Sequence, residues 1–169
     1  MKDSLYTEIV KHLNQLVLVY RHLYDVVRQE KSALIHADLQ VLPELNQRKE
    51  LMLKKINELE KMWMDVASRM RPVLNLQAET PRLLEIAEAY SGKQRDKLMR
   101  FRTVLNLLVQ RTAVINRAND QLTQSALSHI SGAMQAFTET LNKKSNYEKK
   151  GKRSESSKET SGRLVSKEV

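Results

Sequence analysis

The chain has 169 residues, no cysteine and a formal net charge of +9, and it contains only four glycines and three prolines. So few Gly and Pro residues argue against turn-rich sheet folds and phosphate-cradling loops, and the abundant Leu, Lys, Gln, Glu and Arg favour helices. The absence of Cys excludes disulfides and thiolate metal sites and is typical of the cytoplasm, where we expect the protein. We expect no signal peptide, because acidic and basic residues interrupt the apolar positions of MKDSLYTEIVKHLNQ. We expect no membrane span either, because no apolar run approaches about 18 residues.

The positive charge is unevenly distributed. Residues 143–169 hold nine basic and four acidic residues, whereas the other 142 residues hold 20 basic and 16 acidic ones. The final stretch is rich in Ser, Lys and Glu and poor in apolar residues, so we predict a helical domain over 1–142 and a basic, disordered tail over 143–169. Because the tail interleaves its cations with acids and has one aromatic residue, we expect no nucleic-acid binding.

Apolar residues at steps of three and four predict a first amphipathic helix over Leu5–Leu34, with one polar interruption near Glu30 or Lys31. A turn follows, in which Asp38 is suited to cap the next helical turn. The second helix is predicted to begin near Pro43, since proline is tolerated only in the first turn of a helix. Its apolar stripe is interrupted at Lys49, and it is predicted to end at Arg71-Pro72.

A short third helix and a long fourth helix complete the domain. Thr80-Pro81 resembles an N-cap followed by proline at the first helical position, and Ser91-Gly92 offers a stop. The fourth helix is predicted over Lys93–Leu141, where only Gly132 disturbs the helical propensity. Its seam falls at steps of three and four, typical of a packed helix: Leu98, Phe101, Leu105, Leu108, Thr112, Ile115, Asn119, Leu122, Ala126, Ile130, Ala133 and Phe137.

We therefore predict an all-α protein, an elongated antiparallel helical bundle or coiled coil of three long helices plus one short helix, with a disordered C-terminal tail. A fourth helix of about 49 residues would measure roughly 75 Å, against about 40 to 50 Å for the first two. Its C-terminal end then carries a surplus apolar face, at which Met134 would adapt to more than one amphipathic helix. Alternatively, the helix bends back or dimerises, and this face is ordinary core.

The sequence offers no active site. The four histidines are scattered, and none belongs to a Glu-x-x-His or His-Glu-x-x-His pair. Neither a Walker loop, a GxGxxG fingerprint nor a GxSxG elbow occurs. We expect no enzymatic activity, no metal and no cofactor.

Three segments carry a resemblance to a known family. They are QEKSALIHADLQVLPELNQRKELMLKKI at the first turn, Asn116-Arg117-Ala118-Asn119 followed by Leu122, Leu127 and Ile130, and Tyr147-Glu148-Lys149-Lys150-Gly151. In order and spacing the chain resembles the FlgN family of flagellar type III export chaperones over residues 1 to about 151. It departs from the family in a longer, more basic tail after Gly151.

The resemblance implies a chaperone that binds the amphipathic C-terminal helices of hook-associated (hook-filament junction) proteins, prevents their premature association and delivers them to the type III export gate. The tail tyrosine of the family docks on the cytosolic domain of the gate, and Tyr147 matches it. The expected partner-binding residues combine the seam and this tyrosine: Asn116, Asn119, Leu122, Leu127, Ile130, Met134, Phe137, Leu141 and Tyr147.

Two alternatives stay open. Asn119 lies on the seam, where a buried amide fixes register, while the other interpretation has Asn116 or Asn119 bonding to a client. For the whole protein, the alternative to a chaperone is a structural coiled coil that self-associates as a homodimer through the fourth helix.

Overall fold

The computed structural model describes residues 2–148, with side chains as far as residue 141, and all of its regular structure is helical. Helix α1 spans Lys2–Ile35, a 3-10 helix Leu39–Val41, α2 Leu42–Leu74, α3 Leu83–Glu88 and α4 Gly92–Glu148. No strand occurs within residues 2–148. The prediction of an all-α fold with three long helices and one short helix is confirmed.

Helices α1 and α2 are antiparallel partners. Arg69 Nη2 donates to Glu8 Oε1 at 2.6 Å, and Lys49 Nζ donates to Glu30 Oε1 at 2.7 Å, so positions on α2 descend as those on α1 rise. The apolar stripes of both helices face each other, because burying them removes the most apolar surface from water. The largest fully buried side chains of this pair are Ile9, Leu13, Val27, Val66 and Met70.

In the turn between α1 and α2, Ala37 has a left-handed backbone conformation, with φ 54°. The amide of Asp38 donates to the carbonyl of Ala33 at 2.9 Å and that of Ala37 to Leu34 at 3.4 Å, the two bonds of a Schellman motif. Asp38 precedes the 3-10 helix as predicted, but its side chain makes no capping hydrogen bond. Pro43 lies in the first turn of α2, as predicted.

Helix α2 ends later than the sequence predicted. It continues through Pro72 to Leu74, and Asn75 closes it in the left-handed region at φ 55° by donating its amide to the carbonyl of Arg71. A proline in the last turn removes one hydrogen bond without blocking the few residues that follow. The predicted end at Arg71-Pro72 was therefore wrong, and the helix extends to Leu74.

Helix α3 does not begin at Thr80-Pro81, as predicted, but at Leu83. Glu85 Oε2 accepts the backbone N–H of Arg82 at 3.1 Å, which is the acid half of a capping box and the signal that the sequence analysis missed. The helix places Ile86, which is fully buried, in the core formed by α1 and α2.

Helix α4 begins one residue before and ends seven residues after the predicted range Lys93–Leu141. Residues 143–148 of the predicted tail therefore have helical backbone, and residues 149–169 lie outside the described range. The chain divides into two compact units, Met1–Ser125 and Ala126–Val169, and α4 contributes to both. The predicted domain boundary at 142/143 stays a prediction.

Within the first unit, α4 runs parallel to α1. The hydroxyl of Tyr6 donates to the carbonyl of Gln94 at 3.4 Å, and Asn119 Nδ2 donates to the carbonyl of Val27 at 2.9 Å. The predicted seam of α4 packs on the α1/α2 core, with Leu98 fully buried and Phe101, Leu105 and Ile115 partly buried.

Candidate partner-binding site

The second unit carries a row of exposed apolar side chains, the 127–141 stripe, which consists of Leu127, Ile130, Met134, Phe137 and Leu141. Each is between 53% and 68% exposed, and every other side chain from 126 to 141 is exposed as well. Contiguous exposed apolar surface is typical of interaction sites. The 127–141 stripe is therefore the candidate surface for a partner.

The stripe is narrow and almost free of charge. At roughly 100° per residue, its steps of three and four confine it to about 80° of the helix circumference. Ser128 and Gln135 lie on the opposite side, and the hydroxyls of Thr138 and Thr140 donate to carbonyls four residues earlier at 2.9 and 2.8 Å. Glu139 is the single charged residue between 121 and 141. A partner that contacts the stripe would therefore bury apolar side chains and remove few charged groups from water.

Asn116, Asn119 and Leu122, also predicted to bind a partner, lie in the first unit and are less accessible. Leu122 is 37% exposed, whereas Asn119 is only 2% exposed. Asn116 Nδ2 donates within the helix to Asp120 Oδ2 at 3.4 Å. Of the nine predicted residues, eight have described side chains, and they divide into the exposed stripe, the less accessible Asn116 and Leu122, and the buried Asn119.

Asn119 belongs to a buried polar network that joins three helices. Its Nδ2 donates to the carbonyl of Val27 and to Glu30 Oε2, both at 2.9 Å, and Glu30 Oε1 accepts from Lys49 Nζ at 2.7 Å. Glu30 is 8% exposed, and a carboxylate so buried requires such donors. The network ties α4 and α2 to one level of α1, as the register interpretation of Asn119 expects.

The sequence revealed the three residues of this network as separate polar positions and not as partners. Glu30, Lys49 and Asn119 each interrupt an apolar stripe, and polar residues buried in three packed stripes must find partners among one another. The available signal was therefore the coincidence of three interruptions. The Oδ1 atom of Asn119 has no partner among the described residues, and a client contact by Asn116 or Asn119 stays a prediction.

Tyr147 lies within the backbone span of α4, and its side chain is outside the described range. Its predicted docking role therefore stays a prediction. Its backbone is helical, whereas the sequence predicted a tail after the helix.

Tyr20 on α1 forms a part-buried polar pair with Glu60 on α2. Burial, and after it the Glu60 carboxylate, raises the pKa of the Tyr20 phenol to about 12, and the hydroxyl donates to Glu60 Oε1 at 3.0 Å. Among the described side chains, no group of three or more His, Asp or Glu residues is placed to hold a metal ion. No helix in residues 2–148 has both the length and the apolarity needed to cross a bilayer.

Comparison with known proteins connects this geometry to a family. The family model described as FlgN protein matches residues 1–155, a range that contains both the buried network and the 127–141 stripe. Neither the curated proteins nor the solved structures gave a match. Because the match covers most of the chain, this protein belongs to the FlgN family of flagellar export chaperones.

Proposed function

We propose that this chain is a cytoplasmic chaperone for hook-associated proteins, whose amphipathic C-terminal helices it binds through the 127–141 stripe. Binding would cover the apolar face of the client helix, prevent its premature association and keep the client ready for delivery to the type III export gate. The observation that carries this proposal is the exposure of all five stripe residues. The FlgN family match supports the chaperone class.

The energetics of the stripe suit reversible binding. Full burial of a Leu, Ile, Met or Phe side chain contributes about 1.5–3 kcal/mol, so each half-exposed stripe residue has roughly 1–1.5 kcal/mol still to gain. Five such residues contribute about 5–8 kcal/mol from this chain's side, and the apolar face of the client adds its own gain. The cost of association, about 4–15 kcal/mol, offsets much of this sum, which leaves the client able to dissociate.

Two features of the stripe fit a helical client. Its apolar residues follow the spacing that helix-in-groove recognition uses, so the client helix can lay its own apolar face along them. Met134, which is exposed, has an unbranched thioether side chain that repacks against partners of different shape. The stripe would accordingly accept more than one hook-associated protein.

Delivery is assigned to a separate residue. In the proposed mechanism, Tyr147 docks on the cytosolic domain of the export gate while the stripe retains the client. Tyr147 lies only six positions after Leu141, the last residue of the stripe. The client-binding stripe and the docking residue therefore lie in one short segment of the chain.

The experiment is a calorimetric titration of the full chain with a C-terminal fragment of a hook-associated protein. The double variant Ile130→Asp plus Phe137→Asp removes two apolar side chains that the client would bury and places carboxylates in the apolar interface. We therefore expect the affinity for the fragment to fall by about 100-fold or more. The matched control is Ser128→Asp plus Gln135→Asp, which has the same charge and the same spacing on the opposite side of the helix. The control is expected to bind as the unchanged chain does.

Equal affinity of the stripe variant and the unchanged chain would refute the proposed client surface. A coiled-coil protein that self-associates through the same stripe is the alternative, favoured by the lack of charge that would repel a second copy. Light scattering distinguishes them: a dimer that persists at all concentrations and excludes the client fragment would support self-association instead.

A further inference from the structure

The positive charge of the first unit is concentrated on α4. Residues 1–91 contain 13 basic and 13 acidic residues, whereas residues 92–125 contain seven basic and two acidic ones. Four of the seven, Lys93, Lys97, Arg100 and Arg111, recur at steps of four, three and eleven and so share one face of the helix. This face creates a local positive potential on a unit that is otherwise balanced.

A groove with an apolar floor runs beside this face, between the parallel helices α1 and α4. Its first part is a cavity of about 310 Å³ with Val17, Phe101 and Val104 as its floor and Arg21, Lys97 and Arg100 at its rim. Leu18, which also lines this cavity, is 53% exposed. Apolar surface and cations therefore alternate within one concave site.

The same two helices line another cavity toward the C-terminal end of α1, and we call the two cavities together the α1–α4 groove. A second cavity, of about 360 Å³, is lined by Tyr24, Arg111 and Val114 among others, and the Arg28 guanidinium lies 5.8 Å from the centre of the Tyr24 ring. Along α4 the two cavities span residues 97 to 115, or about 27 Å, which is the length of a helix of roughly 18 residues.

The cations of the groove have no carboxylate partners among the described residues. The ion pairs of the described side chains are formed by Lys49 and Arg69. Asp25, four residues after Arg21, and Asp96, beside Lys97, make none. Like charges that cluster without counterions repel each other, and carboxylates from a partner would remove this repulsion.

We propose that the α1–α4 groove, from residue 97 to residue 115 of α4, binds an acidic amphipathic helix of a partner protein. Apolar side chains of that helix would fill the two cavities, and its carboxylates would pair with Arg21, Lys97 and Arg100. A phosphate backbone or a lipid headgroup would leave the apolar floor uncovered, so the combination favours a peptide. The groove shares no residue with the 127–141 stripe and differs from it in its charge.

The probes are two synthetic 18-residue amphipathic helices with the same Leu stripe, one with Glu and one with Lys on its flanks. Fluorescence anisotropy measures their binding to the full chain and to the variant Arg21→Glu plus Arg100→Glu. The unchanged chain is expected to prefer the Glu peptide by about tenfold, and the variant is expected to prefer the Lys peptide instead. Because the variant gains affinity for one peptide, misfolding cannot imitate this result.

Two controls distinguish the groove from other surfaces. Lys54→Glu plus Lys61→Glu makes the same charge change on exposed positions of α2 and is expected to keep the preference for the Glu peptide, as is Ile130→Asp plus Phe137→Asp. Equal binding of the two peptides by the unchanged chain, or an unchanged preference in the groove variant, would overturn the proposal. So would binding of oligonucleotides or anionic vesicles that depends on Arg21 and Arg100 while neither peptide binds.

Discussion

Replacing Lys49 with Met tests what holds the three long helices of the first unit together. The side chains of Lys49 and Glu30 are 23% and 11% exposed, and their Nζ and Oε1 atoms are 2.7 Å apart. Methionine preserves much of the aliphatic packing but leaves the Glu30 carboxylate with Asn119 Nδ2 as its remaining side-chain donor. Breaking a fully buried pair costs about 3–5 kcal/mol, and because water reaches Lys49 we expect the free energy of unfolding to fall by about 2 kcal/mol.

The matched control is Arg69→Met. Arg69 makes a shorter ion pair, 2.6 Å to Glu8, and a second of 3.0 Å to Asp65, but its side chain is 47% exposed. Solvent screens exposed pairs, so this loss is expected to be much smaller than that of Lys49→Met despite the closer contact. Urea unfolding followed by far-ultraviolet circular dichroism measures both. A loss at Arg69 equal to or larger than that at Lys49 would refute the reasoning that burial, not distance, decides.

A second substitution separates the buried charge from lost packing. In the Lys49→Met background, Glu30→Gln removes the uncompensated charge and keeps an acceptor for Asn119 Nδ2. We expect it to restore about 1 kcal/mol of the free energy of unfolding. If the double variant is no more stable than Lys49→Met alone, the loss arises from something other than the unpaired carboxylate.

Three further predictions concern single residues. Ala37→Gly relieves the left-handed backbone at φ 54° and is expected to stabilise the fold by about 0.5–1 kcal/mol in urea unfolding, whereas Ala113→Gly within α4 should destabilise it by a similar amount. Folding raises the pKa of the Tyr20 phenol from 10.0 to about 12. The contribution of this group to the free energy of unfolding is therefore complete below pH 10 and is lost as the pH rises toward 12. The free energy of unfolding should therefore fall more steeply over this interval in the unchanged chain than in Tyr20→Phe, and parallel curves would contradict the assignment. Tyr147→Ala should leave the calorimetric affinity for the client fragment unchanged while reducing capture by the cytosolic domain of the gate, and loss of both would show that the two roles are not separate.

The sequence predicted the long helices well because their apolar spacing is set by the burial that stabilises them. Leu98 and Ile9, both fully buried, were visible as members of regular stripes. Helix ends were harder, since a cap depends on a few local hydrogen bonds. The capping acid Glu85 and the left-handed Asn75 determined the true ends of α3 and α2, where the prolines had suggested other positions.

The candidate site could be predicted only in part for a related reason. Periodicity identified Ile130 and Phe137 as apolar positions but could not decide whether another helix of the chain covers them, because burial is a tertiary property. The pairing of Glu30 with Lys49 and Asn119 likewise depends on which levels of three helices meet. That level is determined by the whole packed core and by no short segment of sequence.

Site-specific thiol labelling tests most directly whether the client covers the 127–141 stripe. The chain has no cysteine, so Phe137→Cys and the opposite-face control Gln135→Cys each introduce a single reactive thiol. Alkylation rates are measured with and without saturating C-terminal fragment of a hook-associated protein. We expect the fragment to slow alkylation at position 137 by at least about tenfold, as burial of the thiol requires, and to leave position 135 unchanged. Equal rates at position 137 with and without bound fragment would contradict the account.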